Sequence, residues 1–161
     1  RLAIAIAQGI ALGLDRPLLP VSTLAALAMR APGDGDVLAA IDARMGEVYV
    51  AAFRRSGEAV DALGDERVVA PAACVLPAGA GWQGVGTGFA AADGVLQARM
   101  GDRLVAVDVA ALPHAADVAR LGARLLAEGH AVAPERVEPA YLRDNVALTI
   151  AEREALRAAS R

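Results

Sequence analysis

Residues 37–53 read VLAAIDARMGEVYVAAF, and this stretch decides the fold class. Two apolar runs of strand length, residues 37–41 and 47–53, are separated by Asp-Ala-Arg-Met-Gly, whose length and glycine favour a β-hairpin. Asp42 and Glu47 flank this connection, and Arg44 lies between them. These three charged residues could line a cleft, or they could belong to an ordinary surface hairpin, since such hairpins often carry mixed charge.

Upstream of the hairpin, residues 2–14 read LAIAIAQGIALGL and predict a helix that ends at Gly13, since Pro17 prevents its continuation. The side chains are apolar in every direction, and Gln8 is the one polar exception. A helix that is apolar on all sides is buried on more than one side. We therefore expect one side to pack on a sheet and the other to need a second helix layer, from missing chain or from another subunit.

The other segments alternate between strands and helices. Apolar runs and turn residues predict short strands at 17–21, 67–69 and 104–109, and helices at 23–30, 71–76, 113–128 and 149–159. Ser22 is a natural N-cap for the helix that follows it. On the long helix, an ordinary solvated face is expected at Asp117, Arg120, Arg124 and Glu128. Strands and helices mixed around a hairpin favour an α/β fold over a simple βαβ ladder.

Composition excludes several classes of protein. The chain has 161 residues and a mean hydropathy of +0.41, too high for a disordered segment. A net charge of −3, with 22% charged residues, forms no broad basic face and argues against autonomous nucleic-acid binding. The apolar stretch at 2–14 is shorter than the ~20 residues that cross a bilayer, so no membrane contact is expected. The single cysteine, Cys74, suits a reducing compartment, and the predicted location is cytoplasmic.

No catalytic centre is visible in the sequence. His114 and His130 form neither an HExxH nor an HxxxH pair for a metal. The run Gly84-Val85-Gly86-Thr87-Gly88 lacks the Gly-Lys-Ser/Thr ending of a P-loop. This run is either a tightly packed turn or a place where the backbone approaches a nucleotide, with Gly86 and Gly88 as the candidate contacts.

Three stretches resemble the TsaB (YeaZ) family, which belongs to the glycoprotease-like, actin-like ATPase (RNase H-like, ASKHA) superfamily. They are residues 1–24, which end in VSTL, residues 40–49 (AIDARMGEVY) and residues 139–147 (PAYLRDNVA). They follow one another in the order that the family has. Three modest motifs in order are together fairly specific.

The resemblance implies a two-lobed, actin-like α/β fold with mixed sheets. Residues 1–31 would be the remainder of an N-terminal lobe, 36–147 the C-terminal lobe and 148–161 a terminal helix. Family members begin with a strand and a GPGSFTG segment that precede the residue equivalent to Arg1. The N-terminal lobe is therefore expected to be incomplete in this chain.

The resemblance also implies a function, that of a non-catalytic scaffold subunit of the machinery that forms threonylcarbamoyladenosine in tRNA. Such a subunit dimerises with the catalytic paralogue TsaD, and a homodimer is expected when it is alone. A TsaE-like ATPase is a further partner, and tRNA is reached only through the complex. No cofactor is expected on this subunit by itself, whereas ATP or ADP suits the complex.

The residues expected to face the partner lie on the helix at 2–14, and they are Ile4, Gln8, Ala11 and Leu12. A second set is carried over from the motifs without an assigned role: Asp42, Arg44, Glu47, Tyr141 and Arg143. Two alternatives stay open. One is a glycoprotease-type metallopeptidase, which needs a bound metal; the other is independent nucleotide binding by the glycine run.

Overall fold

The computed structural model describes residues 2–143. The described residues form helices α1 (Leu2–Gly13), α2 (Thr23–Ala28), α3 (Ala91–Met100) and α4 (Ala115–Ala127), with strands β1 (Gly35–Arg44), β2 (Glu47–Ser56), β3 (Ala59–Ala62), β4 (Arg67–Val69), β5 (Trp82–Val85) and β6 (Leu104–Asp108). Short 3-10 turns occur at Pro71–Ala73, Thr87–Phe89, Gly101–Arg103 and Pro134–Arg136.

The strands form one mixed sheet in the order β3-β2-β1-β5-β6, and β4 also pairs with β2. Strands β1 and β2 form the predicted antiparallel hairpin, with Val37 opposite Phe53 and a register shift between Asp42 and Arg44. Strand β5 runs parallel to both β1 and β6. The predicted α/β class with a mixed sheet is confirmed, and the carboxyl ends of β1, β5 and β6 meet at one edge.

Hydrophobic packing covers both faces of the sheet, because successive side chains of a strand point to opposite faces. On one face, Val37 of β1 joins Leu27 of α2 and Phe53 of β2. On the other, Leu38 of β1 packs with Phe89 and Leu96. Helix α2 is therefore part of the core on this sheet, and the division of the chain into lobes of residues 1–31 and 36–147 stays a prediction.

Most of the predicted helices are present, with small differences at their ends. Ser22 caps α2 as predicted, and its Oγ accepts from the backbone N–H groups of Leu24 and Ala25 at 3.1 Å. Helix α4 begins after His114, whose Nδ1 accepts from the N–H of Ala116 at 3.4 Å. The helix predicted at 149–159 lies outside the described residues.

Two predictions needed correction, and three elements were not predicted. Residues 17–21 form a single antiparallel bridge, between Leu18 and Val132, rather than a strand. The predicted helix at 71–76 is a 3-10 turn at Pro71–Ala73. Strands β3 and β5 and helix α3 were not predicted. The first turn of α3 contains three residues at positive φ, Ala92, Asp93 and Gly94, so regular helical backbone is limited to the short segment from Val95 onward.

Candidate functional site

Helix α1 exposes a large apolar surface. Five aliphatic side chains of this helix and its C-terminal end are 54–75% exposed: Leu2, Ile6, Ile10, Leu12 and Leu14. Leu2, Ile6 and Ile10 are four residues apart, so they form one stripe along the helix. Contiguous exposed apolar side chains of this kind mark an interaction surface more often than a solvated one.

The opposite side of α1 faces the protein's own chain. Ala11 is buried, and Ile4 and Gln8 are half-buried, whereas Leu12 is exposed. The Gln8 amide donates to the carbonyl oxygens of Pro134 and Val137. The structure thus places the four predicted partner-facing residues in different environments, and their role at a partner surface stays a prediction. Ala11 and Gln8 lie against residues 133–137 of the same chain, and Leu2, Ile6 and Ile10 form the solvent-exposed stripe.

The motif residues predicted at the β1–β2 hairpin make two different sets of contacts. The Asp42 carboxylate accepts from the backbone N–H of Arg44 at 2.8 Å, which stabilises a backbone that has positive φ at Arg44 and Met45. Glu47 is instead paired with Arg143, at 2.6 Å between Oε2 and Nη2. Arg44 is exposed.

Arg143 joins the end of the described chain to this hairpin. Besides Glu47, its Nη2 donates to the carbonyl oxygen of Ala43 at 3.1 Å, and its guanidinium carbon lies 5.9 Å from the centre of the Tyr49 ring. Tyr141 lies on the same segment and is 57% exposed. The sequence missed the contact between Glu47 and Arg143 because the two residues are far apart along the chain.

The glycine run lies at the carboxyl edge of the sheet, in the turn after β5. A Cβ added to Gly88 would lie 2.7 Å from the Ala40 Cβ, and one added to Gly86 would overlap the Ala40 carbonyl oxygen. The turn is also bonded to two strands, since Thr87 Oγ1 accepts from the N–H of Asp42 on β1 at 3.1 Å and the Gly86 N–H donates to the carbonyl oxygen of Asp108 on β6. Packing against β1 thus accounts for both glycines. Nucleotide contact at Gly86 and Gly88 stays a prediction.

One acidic residue of α4 is buried where the sequence predicts a solvated face. Asp117, expected on a solvated face, is only 3% exposed. Its Oδ1 accepts from Arg120 Nη1 at 2.7 Å, and its Oδ2 lies 3.6 Å from Arg30 Nη1. The carboxylate is buried because α4 packs on α2 at this point. Arg120 and Arg30 are half-exposed, so this network joins two helices rather than forming a reactive centre.

Metal-binding and membrane-spanning features were also sought within residues 2–143. No group of three or more His, Cys, Asp or Glu side chains in this range is placed to hold a metal ion. His130 is exposed and has Glu128 at 3.6 Å, and His114 caps α4. Of the helices in this range, none combines the length and the apolarity that crossing a bilayer requires.

Comparison with protein families and curated proteins gives consistent matches. Residues 1–151 match the family model described as "TsaD: tRNA N6-adenosine threonylcarbamoyltransferase". A relative from Escherichia coli, described as "tRNA threonylcarbamoyladenosine biosynthesis protein TsaB", is 40% identical over 91% of this chain and 66% of its own length. A relative of the same description from Haemophilus influenzae is 33% identical over 91% of this chain and 65% of its own length. The chain thus spans just under two thirds of each relative.

Two solved structures share the fold. One is described as an uncharacterized protein with similarity to peptidase YEAZ from Pseudomonas aeruginosa; it is 41% identical, with a TM-score of 0.77 over 88% of this chain and 66% of that one. The other, YeaZ from Pseudomonas aeruginosa, is 40% identical, with a TM-score of 0.77 over 87% of this chain and 65% of that one. These matches and the mixed sheet fit the actin-like type of fold.

Proposed function

Because this chain belongs to the TsaB (YeaZ) family, we propose that it acts as a TsaB-type subunit in the formation of threonylcarbamoyladenosine in tRNA. The names of the curated relatives support this function and do not favour a glycoprotease-type peptidase. In this proposal the chain is an accessory subunit, and the transfer chemistry belongs to its partner.

The partner proposed is a TsaD-like paralogue, and a second copy of this chain takes its place when the protein is alone. The observation that carries this proposal is the exposed apolar stripe of α1. Burying a Leu or Ile side chain completely contributes about 1.5–3 kcal/mol, so the three side chains of the stripe, which are half to three-quarters exposed, contribute about 3–6 kcal/mol. This sum offsets only part of the roughly 4–15 kcal/mol that association costs, so a stable pair also requires the apolar surface that the partner itself buries.

Two further features concern the assembly. The net charge of −3 supports contact with tRNA through the complex rather than through this subunit alone. The packing of Gly86 and Gly88 against Ala40 gives both glycines a structural reason that involves no nucleotide. We propose that ATP or ADP binds in the complex and that a TsaE-like ATPase is the further partner.

The test is the substitution Ile10→Arg in the full-length protein. A guanidinium within the exposed stripe has no partner in an apolar interface, so we expect association to weaken by at least about 100-fold while the fold is kept. Association is measured by co-purification with the TsaD-like paralogue of the same genome and, for the protein alone, by sedimentation velocity. Circular dichroism reports the fold.

The matched control is Val75→Arg, which places the same charge at a side chain that is 78% exposed and lies outside α1. We expect this variant to associate normally. Association of Ile10→Arg at the wild-type level would remove α1 from the interface. The substitution Ala11→Arg is not a suitable test, because Ala11 is buried against the chain's own residues and the change would disturb the fold.

A further inference from the structure

Residues 132–143, here called the strap, run from α1 to the β1–β2 hairpin. At one end, Leu18 and Val132 exchange two backbone hydrogen bonds of 2.8 Å each. At the other end, Arg143 is bonded to Glu47 and to the carbonyl oxygen of Ala43. The strap is thus fixed at both ends to parts of the chain that are distant in sequence.

Between these ends the strap is attached to α1 by one side chain. Gln8 Nε2 donates to the carbonyl oxygen of Pro134 at 2.8 Å and to that of Val137 at 2.9 Å, so both amide hydrogens are used. Among the described elements, the 3-10 turn at Pro134–Arg136 is the one that α1 contacts most extensively. The position of α1 on the body of the protein therefore depends largely on this attachment.

Hydrophobic burial alone does not determine which side of α1 faces inward. The helix is apolar in all directions, and turning it about its axis would exchange one set of Ala, Ile and Leu side chains for another. Hydrogen bonds are directional, and a half-buried amide without a partner costs roughly 1–3 kcal/mol. A single polar residue in an apolar helix interface can set the register in this way, as an asparagine does in a coiled coil.

We propose that Gln8 is a positioning residue that sets the rotation of α1 through the strap, and thereby selects the stripe of Leu2, Ile6 and Ile10 as the face presented to the partner subunit. This inference rests on the proposed function for the identity of that face. The rotation of the helix is a property of the chain itself and can be measured without a partner.

The experiment compares two thiols introduced one at a time into α1 in a Cys74→Ala background. Ile10→Cys places a thiol on the exposed stripe, and Ala11→Cys places one against the strap. With Gln8 present, we expect a neutral maleimide to label position 10 at least about tenfold faster than position 11, because a covered thiol reacts only after local opening. The ratio of the two rates reports the rotation of α1.

Gln8→Leu keeps the size of the side chain and removes both donors, and Gln8→Glu keeps the polarity but presents a carboxylate to two carbonyl oxygens. In both variants we expect the ratio to fall to about one and association with the TsaD-like paralogue to weaken about tenfold, with unchanged circular dichroism. Gln97→Leu is the matched control, because Gln97 is an exposed glutamine on α3 for which the described residues provide no side-chain hydrogen bond.

A labelling ratio that stays above about tenfold in both Gln8 variants would overturn the proposal. Wild-type association of both variants despite a collapsed ratio would overturn the link to the partner face. The failure of the proposed function has a different signature, because Ile10→Arg would then associate normally while the ratio still depended on Gln8.

Discussion

Replacement of Gly88 by alanine is expected to lower the free energy of unfolding by about 2 kcal/mol. An alanine Cβ at this position would lie 2.7 Å from the Cβ of Ala40 and 2.8 Å from its carbonyl carbon. Ala40 lies on β1, the middle strand of the sheet, and is fully buried, so neither side can move without disturbing the pairing of β1 with β2 and β5. Overpacking of this kind typically costs about 1–3 kcal/mol.

The assay is urea denaturation followed by tryptophan fluorescence. Trp82 is the single tryptophan, is buried, and donates from Nε1 to the Ala78 carbonyl oxygen at 3.0 Å, so its emission reports the core beside β5. At about 2–4 °C per kcal/mol for a chain of this size, the same change lowers Tm by about 4–8 °C. Gly64→Ala is the control, because its Cβ would meet no atom within 4 Å, and we expect a change of no more than about 0.5 kcal/mol.

A double-mutant cycle with Ala40→Gly sharpens the test. Ala40→Gly removes the 2.7 Å contact with the Ala40 Cβ but leaves the 2.8 Å contact with the carbonyl carbon. The double variant should therefore be somewhat more stable than the sum of the two single changes predicts. Gly88→Ala with wild-type stability and lost nucleotide binding would refute the packing argument. Gly88 would then be required for the approach of a nucleotide, which is the alternative that the sequence left open.

Two further predictions concern buried groups. Asp117→Asn is expected to cost about 1–2 kcal/mol in urea unfolding, at the lower end for a charged hydrogen bond because the arginine partners Arg120 and Arg30 are half-exposed, and an unchanged midpoint would contradict the assignment. Burial raises the pKa of the Cys74 thiol, which stays protonated in the folded state at a pH where the unfolded state ionises. Folding stability should therefore fall as pH rises above about 8.5 by an amount that Cys74→Ala removes, and identical pH profiles of the two proteins would refute this.

The hairpin could be predicted from the sequence because its determinants are local. Two apolar runs and a five-residue connection containing Gly46 specify antiparallel pairing without reference to the rest of the chain, and the N-cap of α2 is equally local. The same holds for α4, whose apolar spacing ends before Gly129. Strand β5 has only four residues, and it is identified as a strand only by its parallel neighbours β1 and β6.

The properties of the glycine run and of Asp117 could not be predicted because their causes are distant in sequence. Positions 86 and 88 have no room for a side chain because Ala40, more than forty positions earlier in the chain, lies against them. Asp117 shares a helical face with Arg120 and reads as solvated, yet α2 covers it. A pattern within one helix reports which residues share a face, but not which other element packs on that face.

The partner-facing residues of α1 show the same distinction most clearly. The sequence predicts that this helix has a second apolar side to cover, and the structure exposes such a side. The apolar pattern in the sequence does not indicate which of the two sides is buried, because an all-apolar helix has no preferred direction of burial. The choice depends on the two carbonyl oxygens that Gln8 reaches, 126 and 129 positions further along the chain. A lone polar residue in an apolar helix thus indicates the face that packs against the protein's own chain, where its hydrogen bonds are made. The partner is expected on the opposite face.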